Sequence, residues 1–226
     1  MKLPTIESTA RVADFSTAHA PALTVKPGQR FVMETCDRFA GMDEAPPRGP
    51  HDVGALVGPV AIAGAKAGDI VAIDVVGIRP RFQHAYMLGS AGFGVLGERM
   101  QRRVRKVAIT ETTIRYDETT ILPWRPMIGK LGIAPAGPAQ ASTAVGKFGG
   151  AVSCTEVAPG ATLLLAVACD GALLGIEDVH GTMGDGEATA SAVEMPARVM
   201  LRCRLNPAPI LPAPLLLTRT EVMTLG

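Results

Sequence analysis

The stretch Leu163-Leu164-Leu165-Ala166-Val167-Ala168-Cys169-Asp170-Gly171-Ala172-Leu173-Leu174-Gly175-Ile176 carries the fold class. Two short apolar runs flank an Asp-Gly pair, the dipeptide that readily supplies the left-handed backbone of a tight hairpin turn. Residues 163–168 and 172–176 therefore read as two strands joined in a hairpin. The same grammar recurs outward along the chain. Residues 30–35 follow the turn Lys26-Pro27-Gly28, and 60–63 lead through a Gly/Ala loop into 70–78, a strand and its return. Residues 106–110 and 112–116 alternate apolar with polar side chains. Residues 188–194 and 197–204 form a further pair, interrupted at Met195-Pro196, where proline removes a ladder donor. In the last run Val199, Leu201 and Cys203 oppose Arg198, Arg202 and Arg204, which places Cys203 inside as a small hydrophobe. Only 97–104, short and basic, offers a helix, and 206–214 is a proline-rich connector. The expected class is mainly β: an antiparallel sandwich or jelly-roll with long Pro/Gly loops.

Composition supports this and excludes several functions. The 226 residues are 47% hydrophobic and 19% charged, a globular balance, and 25 glycines with 18 prolines favour turns over long helices. Residues 1–226 are expected to form one domain, with a division into two β lobes near 123–138 as the alternative. A net charge of +1 provides no overall field for nucleic acid or an anionic membrane. No apolar run is long enough to span a bilayer, and the opening MKLPTIESTARVADFS lacks a signal-peptide core. Cys36, Cys154, Cys169 and Cys203 form no Cys-x-x-Cys pair, so free thiols and a cytoplasmic location are expected.

Gly92-Phe93-Gly94-Val95-Leu96-Gly97 matches a dinucleotide fingerprint, but the segment before it is a poor buried strand and no strand–helix alternation follows. The stretch richest in chemistry is Asp178-Val179-His180 followed by Gly184-Asp185-Gly186-Glu187. In extended backbone, residues two apart share a face, so Asp178 with His180, and likewise Asp185 with Glu187, can point into one pocket, and Gly181, Gly184 and Gly186 let the loop fold back. An acidic turn with a solvated histidine is the plain alternative. Glu34 and Asp37 lie on opposite faces of a strand unless the chain turns at Cys36. Cys36 and Cys154 are candidate thiol nucleophiles without a visible base partner.

Taken together, these stretches resemble the acetamidase/formamidase family. The resemblance runs through Thr24-Val25-Lys26-Pro27-Gly28, Glu34-Thr35-Cys36-Asp37, Gly58-Pro59-Val60, the 92–97 glycine loop, Pro126-Met127-Ile128-Gly129 and, above all, Asp178 to Glu187. It implies an oligomeric, mostly β enzyme, dimeric or higher, that hydrolyses short amides to carboxylate and ammonia with a divalent metal, zinc or calcium. In that reading Asp178, His180 and Asp37 hold the ion, which lowers the pKa of a bound water toward about 7. Glu187 carries the proton, with Glu34 as second choice, while Gly94, Ala134 and Asp185 border the amide. The chain departs from the family where His-Gly-Gly-Asn followed by Asp is usual: it reads Phe148-Gly149-Gly150-Ala151-Val152-Ser153-Cys154. A β-sandwich that keeps the Asp-x-His corner but binds without catalysis is the alternative function.

Overall fold

The computed structural model describes residues 2–36, 55–89, 91–92, 94–206 and 211–225. Among these, secondary structure is almost entirely strand. One seven-stranded sheet runs Thr5–Ile6, Arg30–Glu34, Ala197–Asn206, Ile70–Pro80, Thr162–Ala166, Leu215–Leu217, Val222–Thr224, antiparallel except at its first pair. A second runs Val145–Gly146, Gly149–Gly150, Met127–Gly132, Leu174–His180, Leu56–Ile62, Arg11–Val12, with Leu23–Val25 parallel to Leu56–Ile62. A four-stranded sheet, His84–Gly89, Arg103–Ile109, Thr113–Arg115, Ile121–Pro123, lies beside them. One apolar core joins all three, with Ile73, Leu163 and Leu201 from the first sheet, Leu131 and Ile176 from the second, and Ala85, Ile109 and Ile114 from the third.

The alternation in Ala197–Asn206 behaves as its sequence requires. Val199, Leu201 and Cys203 are fully buried, Arg198 and Arg204 are exposed, and burial pushes the Cys203 thiol far up from its ordinary value. Leu56–Ile62 and Leu174–His180 differ, because every residue in both is buried. Strands covered on both faces read as continuous apolar runs, which suits Leu56-Val57-Gly58-Pro59-Val60-Ala61-Ile62. Leu174–His180 instead carries Glu177, Asp178 and His180 into the interior, where charged groups are costly without partners.

Four local expectations fail, the first two because the chain changes sheets. The Asp170-Gly171 turn closes no hairpin: Thr162–Ala166 belongs to the first sheet and Leu174–His180 to the second. Gly171, Ala172 and Leu173 take three successive positive φ values, 82°, 61° and 58°, and these carry the chain across the sandwich. Likewise Ile70–Pro80 does not pair back onto Leu56–Ile62, since the loop between them also changes sheets. Residues 188–194 form no strand and contribute only bridges from Glu194 to Tyr86 and His180. The helix expected over 97–104 is a single 3-10 turn, Gly97–Arg99; Met100 is already extended, and Arg103–Ile109 pairs with His84–Gly89.

On the outer face of the first sheet, Asp74 accepts hydrogen bonds from Thr162, Arg202 and Arg204 at 2.7–3.0 Å. Desolvation alone raises its pKa, but these bonds outweigh it and hold the carboxylate below its ordinary value. A folded-state pKa depressed in this way stabilises above the unfolded value, and that contribution disappears as pH falls through the folded one. Charged hydrogen bonds reach about 2 kcal/mol, which solvent screening of the half-exposed arginines reduces to about 1 kcal/mol. Asp74→Asn is expected to lower stability by about that amount at neutral pH and to converge with wild type in strong acid. Urea titrations at neutral and acidic pH check this; a gap that does not change with pH excludes the carboxylate as its origin.

Candidate metal centre

His180 ends the buried Leu174–His180 strand opposite Met127, and its ring is entirely inaccessible. Asp178, two residues earlier, has φ 63°, so the parity of regular strand does not hold there. The turn nevertheless keeps both side chains together, with Asp178 Oδ1 3.6 Å from His180 Nε2. The other carboxylate at the imidazole is Glu194, whose Oε2 lies 3.1 Å from the same nitrogen. Glu194 is fixed by reciprocal backbone bonds with Tyr86 of 2.8 and 2.9 Å, while its Oε1 accepts from Ala192 N and Ser191 Oγ.

These contacts are close but poorly aimed for hydrogen bonding. Neither ring nitrogen of His180 has a partner lying along its N–H direction, a rarity for a buried polar atom. One ligand atom from each of Asp178, His180 and Glu194 fits within a 4.8 Å span. Tetrahedral donors about 2.0–2.1 Å from a zinc-sized ion stand about 3.3 Å apart, and the observed 3.1 and 3.6 Å bracket that value. The residues therefore fit a divalent cation. Burial by itself disfavours the imidazolium, but the Glu194 charge and both nearby carboxylates overcome it and raise His180 to about 10. A cation at this point takes over the proton's electrostatic role.

Gly129 faces Asp178 across the strands. A Cβ there would lie 2.7 Å from the Asp178 carbonyl oxygen and 3.0 Å from Oδ2. Gly129→Ala is expected to cost about 1–3 kcal/mol through overpacking and to weaken zinc binding at least about tenfold by displacing this carboxylate. Thermal denaturation and zinc titration of the variant test the claim; wild-type zinc affinity would rule out Gly129 as the spacer for Asp178.

The other expected site residues have separate placements. Asp37 lies outside the described residues. Glu34 is held by Arg198 at 2.6 Å and Arg81 at 3.3 Å. Asp185 is exposed and accepts a 3.4 Å bond from Thr155. Glu187 is half-buried in a turn closed by its bonds to Gly184 and Ala190. Gly94 packs on that turn: with φ 67°, any Cβ would overlap the Ala188 carbonyl, so the glycine loop serves close backbone contact. Ala134 is buried two residues beyond Gly132, which pairs with Gly175 while Met127 pairs with His180, so it sits roughly 20 Å along the strand from the triad. Phe148 packs against Phe15 at 5.3 Å between ring centres.

Glu194 is the ligand-type residue that sequence reasoning missed. Its signal was a lone charge inside Ala192-Val193-Glu194-Met195, an apolar run that should not keep a carboxylate without a partner. The candidate thiols are poorly activated. Burial first, then the neighbouring Glu177 charge, raises Cys36; burial first also raises Cys154, beside Glu156. Both remain protonated at neutral pH, whereas a nucleophilic cysteine needs its thiolate. Among the described residues no helix is long and apolar enough to cross a membrane.

Comparison with known proteins converges on one group. Residues 136–209 match the model of the Acetamidase/Formamidase family. The chain is similar to the crystal structure of a predicted acetamidase/formamidase from Thermoanaerobacter tengcongensis: identity 30%, TM-score 0.90, coverage 95% of this chain and 73% of that one. It is also similar to an acetamidase from Bacillus halodurans, with identity 28%, TM-score 0.88 and coverage of 95% and 74%. A gamma lactamase from Delftia acidovorans shares the fold at 20% identity and TM-score 0.75, over 87% of this chain and 64% of that one. No curated protein sequence gives a significant match.

Proposed function

Since this chain belongs to the acetamidase/formamidase family and is an amidohydrolase, we propose that it hydrolyses a small linear amide, of the acetamide or formamide type, in a metal-dependent reaction. The observation that carries the metal dependence is the Asp178, His180 and Glu194 triad, buried and converging on one point with an imidazole that has no aligned hydrogen-bond partner. A divalent cation held by these three residues, zinc or calcium, supplies a water of lowered pKa and positive charge near the developing carbonyl oxygen.

The chain's own groups do the rest. Asp178 and Glu194 provide negative charge beside Nε2 of His180, and their burial excludes competing water. Asp37, two residues beyond the described Thr35, is the proposed further ligand. Glu187 is the proposed proton carrier, taking a proton from the attacking water and delivering it to the departing nitrogen, because an amide nitrogen leaves poorly unless protonated. The Gly94 loop and Asp185 are proposed to border the amide. Residues 1–226 are proposed to work as one domain in a cytoplasmic homo-oligomer, a reading supported by the free thiols and by exposed Val95, Ile121 and Val222.

Metal analysis of purified protein, paired with ammonia release from formamide and acetamide, tests the reading. The expected result is a bound divalent ion, ammonia release abolished by chelation, and no effect of thiol alkylation. Ammonia release that survives complete removal of metal sinks metal dependence. Bound metal without ammonia from either amide sinks the proposed substrate class.

A further inference from the structure

Glu194 does not reach His180 by chance of rotamer. Its backbone is pinned to Tyr86 in both directions, and its Oε1 accepts hydrogen bonds from Ala192 N at 3.1 Å and Ser191 Oγ at 3.2 Å. Oε2 is thereby turned to His180 Nε2. The Ser191 hydroxyl is itself fixed. It is buried, and it accepts a 3.1 Å bond from Leu88 N, one strand position past the Tyr86–Met87 segment that clamps Glu194. His84–Gly89 thus braces Glu194 twice, once through its backbone and once through Ser191.

A serine hydroxyl has one proton to give. Here it has two acceptors within reach, Glu194 Oε1 and Ala192 O at 3.3 Å. A charge-assisted bond to a carboxylate oxygen is about twice as strong as one to a neutral carbonyl, so the Ser191 hydroxyl donates to Glu194 Oε1 in preference to Ala192 O. From this geometry we infer that Ser191 is the positioning residue of the metal centre: its hydroxyl holds Glu194 so that Oε2, and not Oε1, is presented beside His180. Outer partners of this kind orient ligating carboxylates, and their loss weakens metal affinity about 10- to 100-fold. The inference rests on the metal-dependent reading above and assigns that site a residue which never touches the ion or the substrate.

Cobalt(II) titration of the metal-free protein, followed by visible absorption, is the test. Ser191→Ala is expected to bind cobalt(II) about 10- to 100-fold more weakly and to change the ligand-field spectrum, because the carboxylate no longer has a fixed orientation. Ser191→Cys, which keeps the side-chain volume but offers only a weak donor, carries the same expectation should the alanine variant fail to fold. Ser191→Thr restores the hydroxyl and should recover most of the affinity. A purely structural role for Ser191 would lower the folded fraction while leaving affinity and spectrum of the folded molecules unchanged, and that result overturns the inference. Wild-type protein that binds no cobalt(II) overturns the metal reading itself, a failure distinct from an unaltered Ser191 variant of a protein that does bind it.

Discussion

Replacing His180 by alanine is expected to abolish stoichiometric metal binding and to lower amide turnover at least about 1,000-fold. The magnitude follows from what the ion supplies: several kcal/mol of charge stabilisation, of which about 4 kcal/mol corresponds to that factor. The change also removes the cationic group between Asp178 and Glu194. Two buried carboxylates then face one another, and breaking a buried ion pair by removing one partner costs about 3–5 kcal/mol. Metal content, turnover and thermal stability must therefore be read on the same folded sample. Added imidazole, which can occupy the vacated space, should restore a measurable fraction of turnover. Folded His180→Ala protein with wild-type turnover and metal content would remove this residue from the mechanism.

The Asp178-x-His180 half of the triad was legible in the sequence because its members lie two residues apart at the end of an apolar run. The reason given for their convergence was incomplete, since Asp178 is left-handed at φ 63° and its meeting with His180 depends on the turn as well as strand parity. Glu194 was hidden by tertiary placement. It lies fourteen residues beyond His180, in a segment whose apolar content imitates a strand, and only its bridges to Tyr86 and His180 bring it inward. The alternating Ala197–Asn206 strand could be read because its two faces meet different environments. The partners of Thr162–Ala166 and Leu174–His180 could not be read. Asp-Gly specifies a local reversal, but the following left-handed Ala172 and Leu173 convert that reversal into a crossing between sheets. Phe148 illustrates the same limit. The missing polar side chains were visible at once, whereas the ring contact with Phe15 that occupies the position needed the fold.

Glu187→Gln is expected to lower kcat about 100- to 10,000-fold, the usual contribution of a positioned general acid–base, with metal content unchanged. The substitution preserves size and hydrogen-bonding capacity while removing the ability to accept a proton. The ligand triad should be indifferent to it. Asp178 and His180 are set by the Leu174–His180 strand and Gly129, and Glu194 by Tyr86, Ala192 and Ser191. The turn around Glu187 is held by backbone bonds from Glu187 to Gly184 and from Ala190 to Glu187, together with the packing of Gly94 on Ala188, none of which uses the carboxylate. Glu194→Gln is the contrasting variant, because it removes charge from the ligand set and should lose metal and turnover together. Metal analysis beside kcat thus separates a proton carrier from a ligand. If Glu187→Gln turns over at the wild-type rate, the carrier lies elsewhere, and Glu34 is a poor substitute because Arg81 and Arg198 already engage both of its oxygens. Moving a proton through Glu34 requires at least one of those ion pairs to open in every cycle, so Arg198→Ala would then have to raise turnover, whereas a Glu187 carrier leaves turnover insensitive to Arg198.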